Sequence, residues 1–467
     1  MQANKSDWDN ISQYLKIFET ITEDFFKQLD SSKVAKMDVN LPDSTLSEDG
    51  VDLLSCIEVL KTDVIPQLSA ARGSRYWGFV TGGATPVATL ADWLVATFDQ
   101  NVHKGGDSIA TEIERQSIKW LCDLFELPYS FKGIMTTGAT ACNFLAANCA
   151  RQFAGLKQGI NTAKDGVYNL DIEILSTTPH ASMIKSLGMS GLGQRHVTKV
   201  NAKSNSEAMD VEHLKHLLEN SKAKAQVVIA SAGTVTATDF DDLDSISALC
   251  KKHDAWLHVD AAFGLFERLV NGPDSHTKSI EKADSITVDC HKWLNVPYDS
   301  GVFLTRHLDI LEQCFDVPAP YLLNESGKAD FMSLGVENSR RFRALPVWLS
   351  LLAYGKSGVR QWVERNIKLA QQLANWIDLS DDYELVHPCN MNVALFRPSC
   401  TGLTTQEADK KTVDCLKAIN KDGRLYLSPG LWQGREIIRI ALSNWQTEDT
   451  DIDIAIAVFE HLAKQQG

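Results

Sequence analysis

Lys292 is the first residue of this sequence whose type and position could do chemistry. It stands in Val-Asp-Cys-His-Lys-Trp, just after the apolar run of residues 285–288. A lysine at the end of a strand that faces a cleft can have a pKa low enough for amine chemistry, and Schiff-base formation with an aldehyde is the obvious use. Taken alone, the segment is explained more simply by a surface lysine.

An acid and an imidazole follow two other apolar runs. Asp260 ends the run of residues 255–259, where a carboxylate is costly to bury unless it has a cationic partner such as a protonated ring nitrogen. An aspartate that caps the next helix explains that segment equally well. His180 stands in the turn after residues 172–176, where a structural histidine with satisfied hydrogen bonds is the simpler explanation.

A turn of small residues follows a fourth run, residues 133–136. Gly138, Ala139 and Thr140 stand there at the start of an expected helix. Backbone N–H groups can approach a phosphate at such a turn, and the helix N-terminus favours its charge. The Gly-Lys-Ser/Thr ending of a Walker A loop is absent. An ordinary strand-to-helix turn remains the simpler explanation of this segment alone.

These apolar runs alternate with helical stretches along the chain. The stretch of residues 239–253 is acidic in its first turn and basic in its last, as the helix dipole favours. Such alternation predicts a mainly parallel sheet covered by helices, and sheets of this kind bind ligands at the carboxyl ends of their strands. The five predicted strands are residues 133–136, 172–176, 227–231, 255–259 and 285–288.

The two ends of the chain do not show this alternation of short apolar runs and helical stretches. Apolar residues at steps of three and four from Trp8 to Leu29 predict an N-terminal helix that packs on another part of the protein or on a second subunit. A helical stretch at residues 347–373 leads into a smaller α+β region whose last strand is about residues 436–443. We predict an N-terminal helical arm at residues 1–74, a large ligand-binding domain at 75–346 and a small C-terminal α+β domain at 347–467.

Composition excludes several classes of protein. The 467 residues carry 46 Lys and Arg against 60 Asp and Glu, a net charge of −14. A chain this acidic is repelled by phosphate backbones and anionic membranes, so we expect neither nucleic acid nor a membrane as a partner. No apolar run approaches ~18 residues, and the N-terminus shows no secretory signal. The ten cysteines have no metal-ligand spacing, so we expect reduced thiols, no bound metal and a cytoplasmic protein.

Taken together, the four segments resemble the group II pyridoxal-phosphate-dependent amino-acid decarboxylases, which include the aromatic-amino-acid, histidine and glutamate decarboxylases. The most specific matches are Asp260-Ala-Ala and His291-Lys-Trp, and weaker ones are Thr111-Glu-Ile-Glu and Arg340-Arg-Phe-Arg. The resemblance extends from about Arg75 to the C-terminus. It implies an α/β fold of the aspartate-aminotransferase type (fold type I), with a large, mainly parallel seven-stranded sheet domain and a small C-terminal α+β domain.

The resemblance also implies a role for each matching residue around pyridoxal phosphate. Lys292 matches the lysine that holds the cofactor as a Schiff base. Asp260 matches the acid that keeps the pyridine nitrogen protonated, which makes the ring an electron sink. His180 matches the imidazole that stacks on the ring, and Ala262 matches the small residue on the other face of the ring.

The phosphate end of the cofactor has its own matches. Ala139 and Thr140 match phosphate ligands, and so does His291. The family usually has asparagine three residues before the lysine, where this sequence has Asp289. A carboxylate near a phosphate is unfavourable unless it points away or is protonated, so we expect one of these two states for Asp289.

Tyr321 lies 29 residues after Lys292, where the family has a loop tyrosine. In the family this mobile loop reaches the active site of the neighbouring subunit, and its tyrosine acts as a general acid. A phenylalanine at this place in the family goes with oxidative deamination to an aldehyde. A tyrosine that only anchors a loop is the alternative for Tyr321.

The resemblance therefore implies a homodimer with shared active sites that converts an L-amino acid to its amine and CO2. Residues 76–83 match the family's substrate pocket; they offer aromatic surface and contain no Lys or Arg, which favours an apolar or aromatic substrate over glutamate. A cation supplied from elsewhere in the chain would reverse that preference. The alternatives are a pyridoxal-phosphate-dependent aldehyde synthase or aminotransferase on the same fold, or a non-catalytic homologue that only binds.

Overall fold

A seven-stranded sheet forms the centre of the computed structural model, which describes residues 7–316 and 329–466. Its strands are β1 (Lys132–Thr136), β2 (Ile172–Ser176), β3 (Val197–Lys199), β4 (Ala225–Ser231), β5 (Trp256–Asp260), β6 (Ser285–Asp289) and β7 (Gly301–Thr305). Their order across the sheet is β1-β7-β6-β5-β4-β2-β3. Strand β7 runs antiparallel to β1 and β6, and the other neighbouring pairs are parallel. The predicted mainly parallel sheet is confirmed.

The five predicted strands correspond to β1, β2, β4, β5 and β6, each within two residues at either end. Two strands of the sheet were not predicted. Strand β3 has three residues, which is too short for a periodic signal. Strand β7 is buried at every position and begins with Gly301, so a short apolar run that starts at a glycine was the signal that could have revealed it.

Helices cover the sheet and supply the N-terminal arm. Helix α9 begins at Leu243 rather than at the predicted residue 239, because two preceding acids are used elsewhere: Asp239 accepts a hydrogen bond from the backbone N–H of Glu207, and Asp241 accepts one from that of Ser231. The helices are α1 (Ile11–Gln28), α2 (Leu53–Val59), α3 (Pro86–Phe98), α4 (Ala110–Leu124), α5 (Ala139–Leu156), α6 (Thr162–Asp165), α7 (Ala181–Met189), α8 (Val211–Asn220), α9 (Leu243–His253), α10 (Arg268–Asn271), α11 (Leu308–Phe315), α12 (Ala344–Asp378), α13 (Thr405–Asp422) and α14 (Asp449–Gln466).

A second, smaller sheet follows α12, which has a kink at Gly355 where φ is +58°. Its strands are β8 (Tyr383–His387), β9 (Val393–Pro398), β10 (Ser428–Trp432) and β11 (Arg435–Ala441), in the order β10-β11-β9-β8 and antiparallel throughout. The predicted small C-terminal α+β unit is confirmed. The predicted domain limits at residues 74/75 and 346/347 stay predictions, and the second of them falls in the first turn of α12.

A buried ion pair joins the two weaker sequence matches to the central sheet. Arg340 Nη2 lies 2.8 Å from Glu114 Oε1, and both side chains are fully buried. Glu114 also accepts a hydrogen bond from the backbone N–H of Met135 in β1, and Arg340 donates one to the carbonyl of the same residue. These bonds offset part of the cost of burying the two charges, while Arg340 Nε has no hydrogen-bond partner among the described residues. The pair therefore holds the strand that leads into the small-residue turn.

Three further expectations concern disulfides, metals and membranes. All ten cysteines are free thiols. Within the two described ranges there is no group of three or more His, Cys, Asp or Glu side chains arranged to hold a metal ion. No helix in the described part of the chain is long and apolar enough to cross a bilayer.

Candidate active site

The carboxyl end of β6 brings Lys292 into contact with a carboxylate. Lys292 Nζ lies 2.9 Å from Asp289 Oδ2, and 5.6 Å from the centre of the Phe263 ring. The lysine side chain is 18% exposed and that of Asp289 only 3%. The amine is therefore held by an ion pair at the wall of a cleft, where a ligand can still reach it.

Asp289 points into the small-residue turn. Its Oδ1 accepts a 2.6 Å hydrogen bond from the backbone N–H of Ala139, the first residue of α5. We expected this carboxylate to point away from the turn or to be protonated. The structure adopts a third arrangement that we had not considered. Asp289 occupies the helix N-terminus, where the helix dipole favours a negative charge, and Lys292 balances that charge.

The turn itself is a cradle that side chains would fill. Gly138 has φ +148°, and a Cβ atom there would lie 2.8 Å from Cε1 of His291. A Cβ atom on Gly301 would lie 2.6 Å from the Cα of Gly138. Ala139 and Thr140 open α5 at this point, and Thr140 is exposed. A cradle of glycine backbone at a helix N-terminus fits a phosphate group.

His291 forms one side of this cradle. Its Nδ1 accepts a 3.2 Å hydrogen bond from the backbone N–H of Ser300, while its Nε2 lies 3.7 Å from Asp289 Oδ1. Burial lowers the pKa of His291, and the Asp289 carboxylate acts in the opposite direction. The imidazole thus has a fixed orientation, with Nε2 on the side of the cradle.

Asp260 is a partly buried acid at the end of β5 without a cationic partner. Its Oδ2 accepts a 2.9 Å hydrogen bond from Asn143 Nδ2, and its Oδ1 accepts one from the backbone N–H of Ala262 at 3.3 Å. Among the described residues, no Lys, Arg or His forms an ion pair with it. A carboxylate in this state is matched to a positively charged group of a ligand, such as a protonated pyridine nitrogen.

His180 caps the N-terminus of α7 and is exposed to the cleft. Its Nδ1 lies 2.6 Å from Ser182 Oγ and accepts a 3.2 Å hydrogen bond from the backbone N–H of Ser182. Partial desolvation by the surrounding protein lowers the pKa of His180, while the charge of Asp260 raises it and that of Lys292 lowers it. The imidazole is therefore in electrostatic range of both the acid and the amine.

Tyr321 lies outside the described residues. The remaining predicted positions, from Ala139 to Lys292, are gathered around one cleft by the ends of β1, β2, β5 and β6.

Sequence reasoning missed a buried arginine in the small sheet. Arg439 of β11 is 5% exposed, and its buried Nε and Nη2 atoms have no hydrogen-bond partner in the described part of the chain. Burial lowers its pKa to about 10, and its charge lowers the pKa of His180. The sequence signal was an arginine inside the otherwise apolar run Ile-Ile-Arg-Ile-Ala. The small sheet therefore brings a buried cation within electrostatic range of His180.

Residues 76–83 lie against the backbone of the lysine. A Cβ atom on Gly82 would lie 1.8 Å from the carbonyl oxygen of Lys292, so the two segments touch at a position that requires glycine. Tyr76 stacks on Tyr426 with 4.6 Å between ring centres, and Phe79 lies 6.3 Å from the same ring while 57% exposed. Phe79 has φ +60°, a strained backbone conformation of the kind that clusters at ligand sites. The segment therefore carries aromatic surface and contacts Lys292 through Gly82.

The site combines a partly buried lysine, an acid that lacks a cationic partner among the described residues, and a glycine-lined helix N-terminus, all on a mixed seven-stranded sheet. This combination defines an enzyme that binds pyridoxal phosphate. The chain belongs to the pyridoxal-dependent decarboxylase family, whose conserved-domain model matches residues 36–398. It is a carboxy-lyase that uses pyridoxal phosphate to decarboxylate an amino acid.

Individual relatives agree with this assignment. The chain is 30% identical to an aromatic-L-amino-acid decarboxylase of Bacillus atrophaeus over 86% of this chain and 84% of that protein. It is 23% identical to tryptophan decarboxylase 2 of Oryza sativa subsp. japonica over 96% and 91% of the two chains. The crystal structure of Oryza sativa TDC with PLP and tryptamine superimposes with a TM-score of 0.90, at 20% identity and 98% coverage of both chains. The predicted fold is confirmed.

Proposed function

We propose that this decarboxylase acts on an L-amino acid with an aromatic or large apolar side chain and releases the corresponding amine. The observation that carries the proposal is the aromatic surface of Tyr76, Phe79 and Tyr426, formed around the segment whose Gly82 contacts the Lys292 backbone. Stacked and tilted aromatic rings favour flat apolar groups between them. Two of the relatives are named for aromatic amino acids or tryptophan.

Each residue around the cleft would have a separate role in binding the cofactor and in the reaction. Pyridoxal phosphate, when bound, supplies an aldehyde for amine exchange and a ring that withdraws electrons as CO2 leaves. Lys292 would hold the cofactor covalently and exchange with the substrate amine. Asp260 would keep the ring nitrogen protonated, and His180 and Ala262 would face the two sides of the ring. The phosphate would be bound by Ala139, Thr140 and His291.

Arg439 would bind the α-carboxylate of the substrate. A buried guanidinium without a partner is costly unless a ligand supplies a negative charge, and a carboxylate is the natural match. A second candidate function follows from the same observation: Arg439 could instead pair with the side-chain carboxylate of an acidic substrate. A screen of the purified protein against all proteinogenic amino acids, recording amine and CO2, decides between the two. Release of amine from glutamate or aspartate alone would contradict the aromatic proposal.

Arg439→Met is expected to weaken substrate binding without loss of stability. Methionine keeps much of the side-chain length but removes an unpaired buried charge, so the free energy of unfolding should stay the same or rise. The KM for the substrate should increase by roughly tenfold to a hundredfold, as for a lost hydrogen bond to a charged group. Thermal melts without substrate and steady-state kinetics measure the two effects.

Arg340→Met is the matched control for that variant. Arg340 is as deeply buried but paired with Glu114, so its replacement leaves a buried carboxylate without a cation. We expect this variant to lose about 3–5 kcal/mol of stability. If Arg439→Met lost a similar amount and its KM stayed unchanged, Arg439 would be structural.

Tyr321 would deliver the proton that completes the reaction. In our proposal its hydroxyl protonates the α-carbon after CO2 has left, so Tyr321→Phe should still bind substrate and release CO2. Amine formation should fall by roughly 10²–10⁴-fold, the usual contribution of a general acid. Dissolved O2 would then act as the two-electron oxidant and be reduced to peroxide, while water releases aldehyde and ammonia in place of the amine. The measurement is the yield of amine and aldehyde per CO2 released. A near-unit yield of amine would remove Tyr321 from the mechanism, and an oxo acid as product would indicate transamination.

The protein would work as a homodimer with shared active sites. Helix α1 and the turn before it leave a row of apolar side chains exposed in the single chain: Trp8, Ile11, Leu15 and Phe18 are each at least 39% exposed. Sedimentation measurements test the dimer. Mixing Lys292→Ala with Tyr321→Phe subunits tests the sharing, because a heterodimer has one complete site only if the tyrosine acts across the interface. Inactive mixtures would contradict shared sites.

A further inference from the structure

Asn143 of α5 is a fully buried side chain that joins the acid of the candidate site to its imidazole. Its Nδ2 donates a 2.9 Å hydrogen bond to Asp260 Oδ2 and another of 2.9 Å to Ser182 Oγ. Ser182 Oγ in turn lies 2.6 Å from His180 Nδ1. One amide group therefore contacts Asp260 directly and His180 through a single hydroxyl.

The direction of every hydrogen bond in this chain follows from its chemistry. The Asp260 carboxylate can only accept, so Nδ2 of Asn143 faces it. The two hydrogens on Nδ2 are donated to Asp260 and to Ser182. The Ser182 oxygen thus accepts from Asn143 and has its own hydrogen left to donate to His180 Nδ1. That nitrogen also accepts from the backbone N–H of Ser182, so it is unprotonated. The ring hydrogen of neutral His180 is then on Nε2.

The other end of the amide is fixed in the same way. Asn143 Oδ1 accepts a 2.9 Å hydrogen bond from the Thr287 hydroxyl and lies 3.2 Å from His258 Nε2. His258 is 1% exposed, and burial lowers its pKa to about 4, so its ring is neutral at pH 7. Because Asn143 Oδ1 can only accept, Nε2 of the neutral ring donates to it, and Nδ1 accepts from the Ser285 hydroxyl at 2.9 Å. Side chains of β5 and β6 therefore fix the position of the amide oxygen. A flipped amide would place that oxygen next to the Asp260 carboxylate, where the two would repel each other.

We propose that Asn143 is a positioning residue that orients Asp260 towards the cofactor ring and, through Ser182, fixes His180 as the tautomer with its hydrogen on Nε2. The proposal rests on the proposed function in one respect, since it takes Asp260 and His180 to be the groups that face the ring. It makes two separable claims. Asn143 should matter to both groups, and Ser182 only to the imidazole.

The first test compares Asn143→Ala with Asn148→Ala. Asn148 is buried in the same helix, and among the described residues its side chain donates only to the carbonyl of Phe144, so it is a matched control for loss of an amide from α5. We expect Asn143→Ala to raise the dissociation constant for pyridoxal phosphate by roughly tenfold to a hundredfold, as for a lost hydrogen bond to a charged group. The visible absorbance and circular dichroism of the bound cofactor should change as well. Asn148→Ala should change thermal stability alone.

The second test separates the imidazole branch from the acid branch. Ser182→Ala should leave the dissociation constant for pyridoxal phosphate within about twofold of the wild type, because the bond from Asn143 to Asp260 remains. In protein labelled with ¹⁵N-histidine, without cofactor, a minor Nδ1–H tautomer of His180 should appear beside the Nε2–H form, because only the 3.2 Å bond from the backbone N–H of residue 182 then favours an unprotonated Nδ1. Ser182→Thr, which keeps the hydroxyl, should restore the wild-type signals, and the His180→Gln spectrum identifies them.

The outcomes distinguish this proposal from the proposed function. If Asn143→Ala behaves like Asn148→Ala, or if His180 keeps one tautomer in Ser182→Ala, the positioning role is wrong. If Asp260→Asn and His180→Gln leave activity unchanged, the assignment of the site itself is wrong, whatever Asn143 does. Support requires that both Asp260 and His180 matter and that Asn143→Ala alters the spectrum of the bound cofactor.

Discussion

Lys292→Ala should abolish covalent cofactor binding and lower amine formation below detection. The lysine supplies the amine at the end of β6, and it is also the cation that balances Asp289 inside the cradle. Its loss would leave the Asp289 carboxylate uncompensated at the helix N-terminus, where it repels a phosphate. We therefore expect weaker binding of pyridoxal phosphate than the loss of the covalent bond alone would cause.

A double variant separates these two effects. In Lys292→Ala with Asp289→Asn, the carboxylate is gone while an amide oxygen can still accept from the backbone N–H of Ala139. Non-covalent affinity for pyridoxal phosphate should recover relative to Lys292→Ala, and activity should not. Borohydride reduction of the wild type followed by peptide mapping locates the covalent bond. An adduct on any other lysine would overturn the assignment of Lys292.

Asp260→Asn should retain the fold and part of the cofactor while losing most activity. A neutral amide cannot keep a pyridine nitrogen protonated, so the ring would withdraw electrons poorly when CO2 leaves. The loss should be about 10²–10³-fold in kcat, the size found when one electrostatic contact to a reacting group is removed. Steady-state kinetics and absorbance of the bound cofactor measure both parts.

Asp241→Asn is the control for the loss of a buried acid. Asp241 accepts hydrogen bonds from the backbone N–H groups of Ser231 and Met209, and burial raises its pKa to about 6. Asparagine can accept only one of these two bonds and sets its NH2 group against the other N–H, so we expect lower thermal stability. Asp241 lies outside the candidate site, so the activity of the folded protein should stay close to that of the wild type. If Asp260→Asn were equally active, another group would have to keep the ring nitrogen protonated.

The local sequence determined where the chemistry lies along the chain. Apolar runs bounded by polar residues predicted β2 and β6 almost to the residue, and they placed Asp260 and Lys292 at strand ends. This was possible because strand formation depends on short-range hydrophobic patterning, and because parallel strands with helical crossovers end at the same edge of the sheet. Two side chains far apart in sequence could thus be expected at one cleft.

The tertiary structure alone decided which side chains complete that cleft. Asn143 is 117 residues from Asp260, and Glu114 is 226 residues from Arg340, so each pair is formed by the order of strands and helices and has no local signature. Arg439 comes from a different sheet altogether. From the sequence alone, Asp289 was an unfavourable charge near a phosphate. Its position at the start of α5 beside Lys292 depends on how strand β6 packs against that helix. Hydrophobic patterning fixes each element, but hydrogen bonds between elements depend on how they pack.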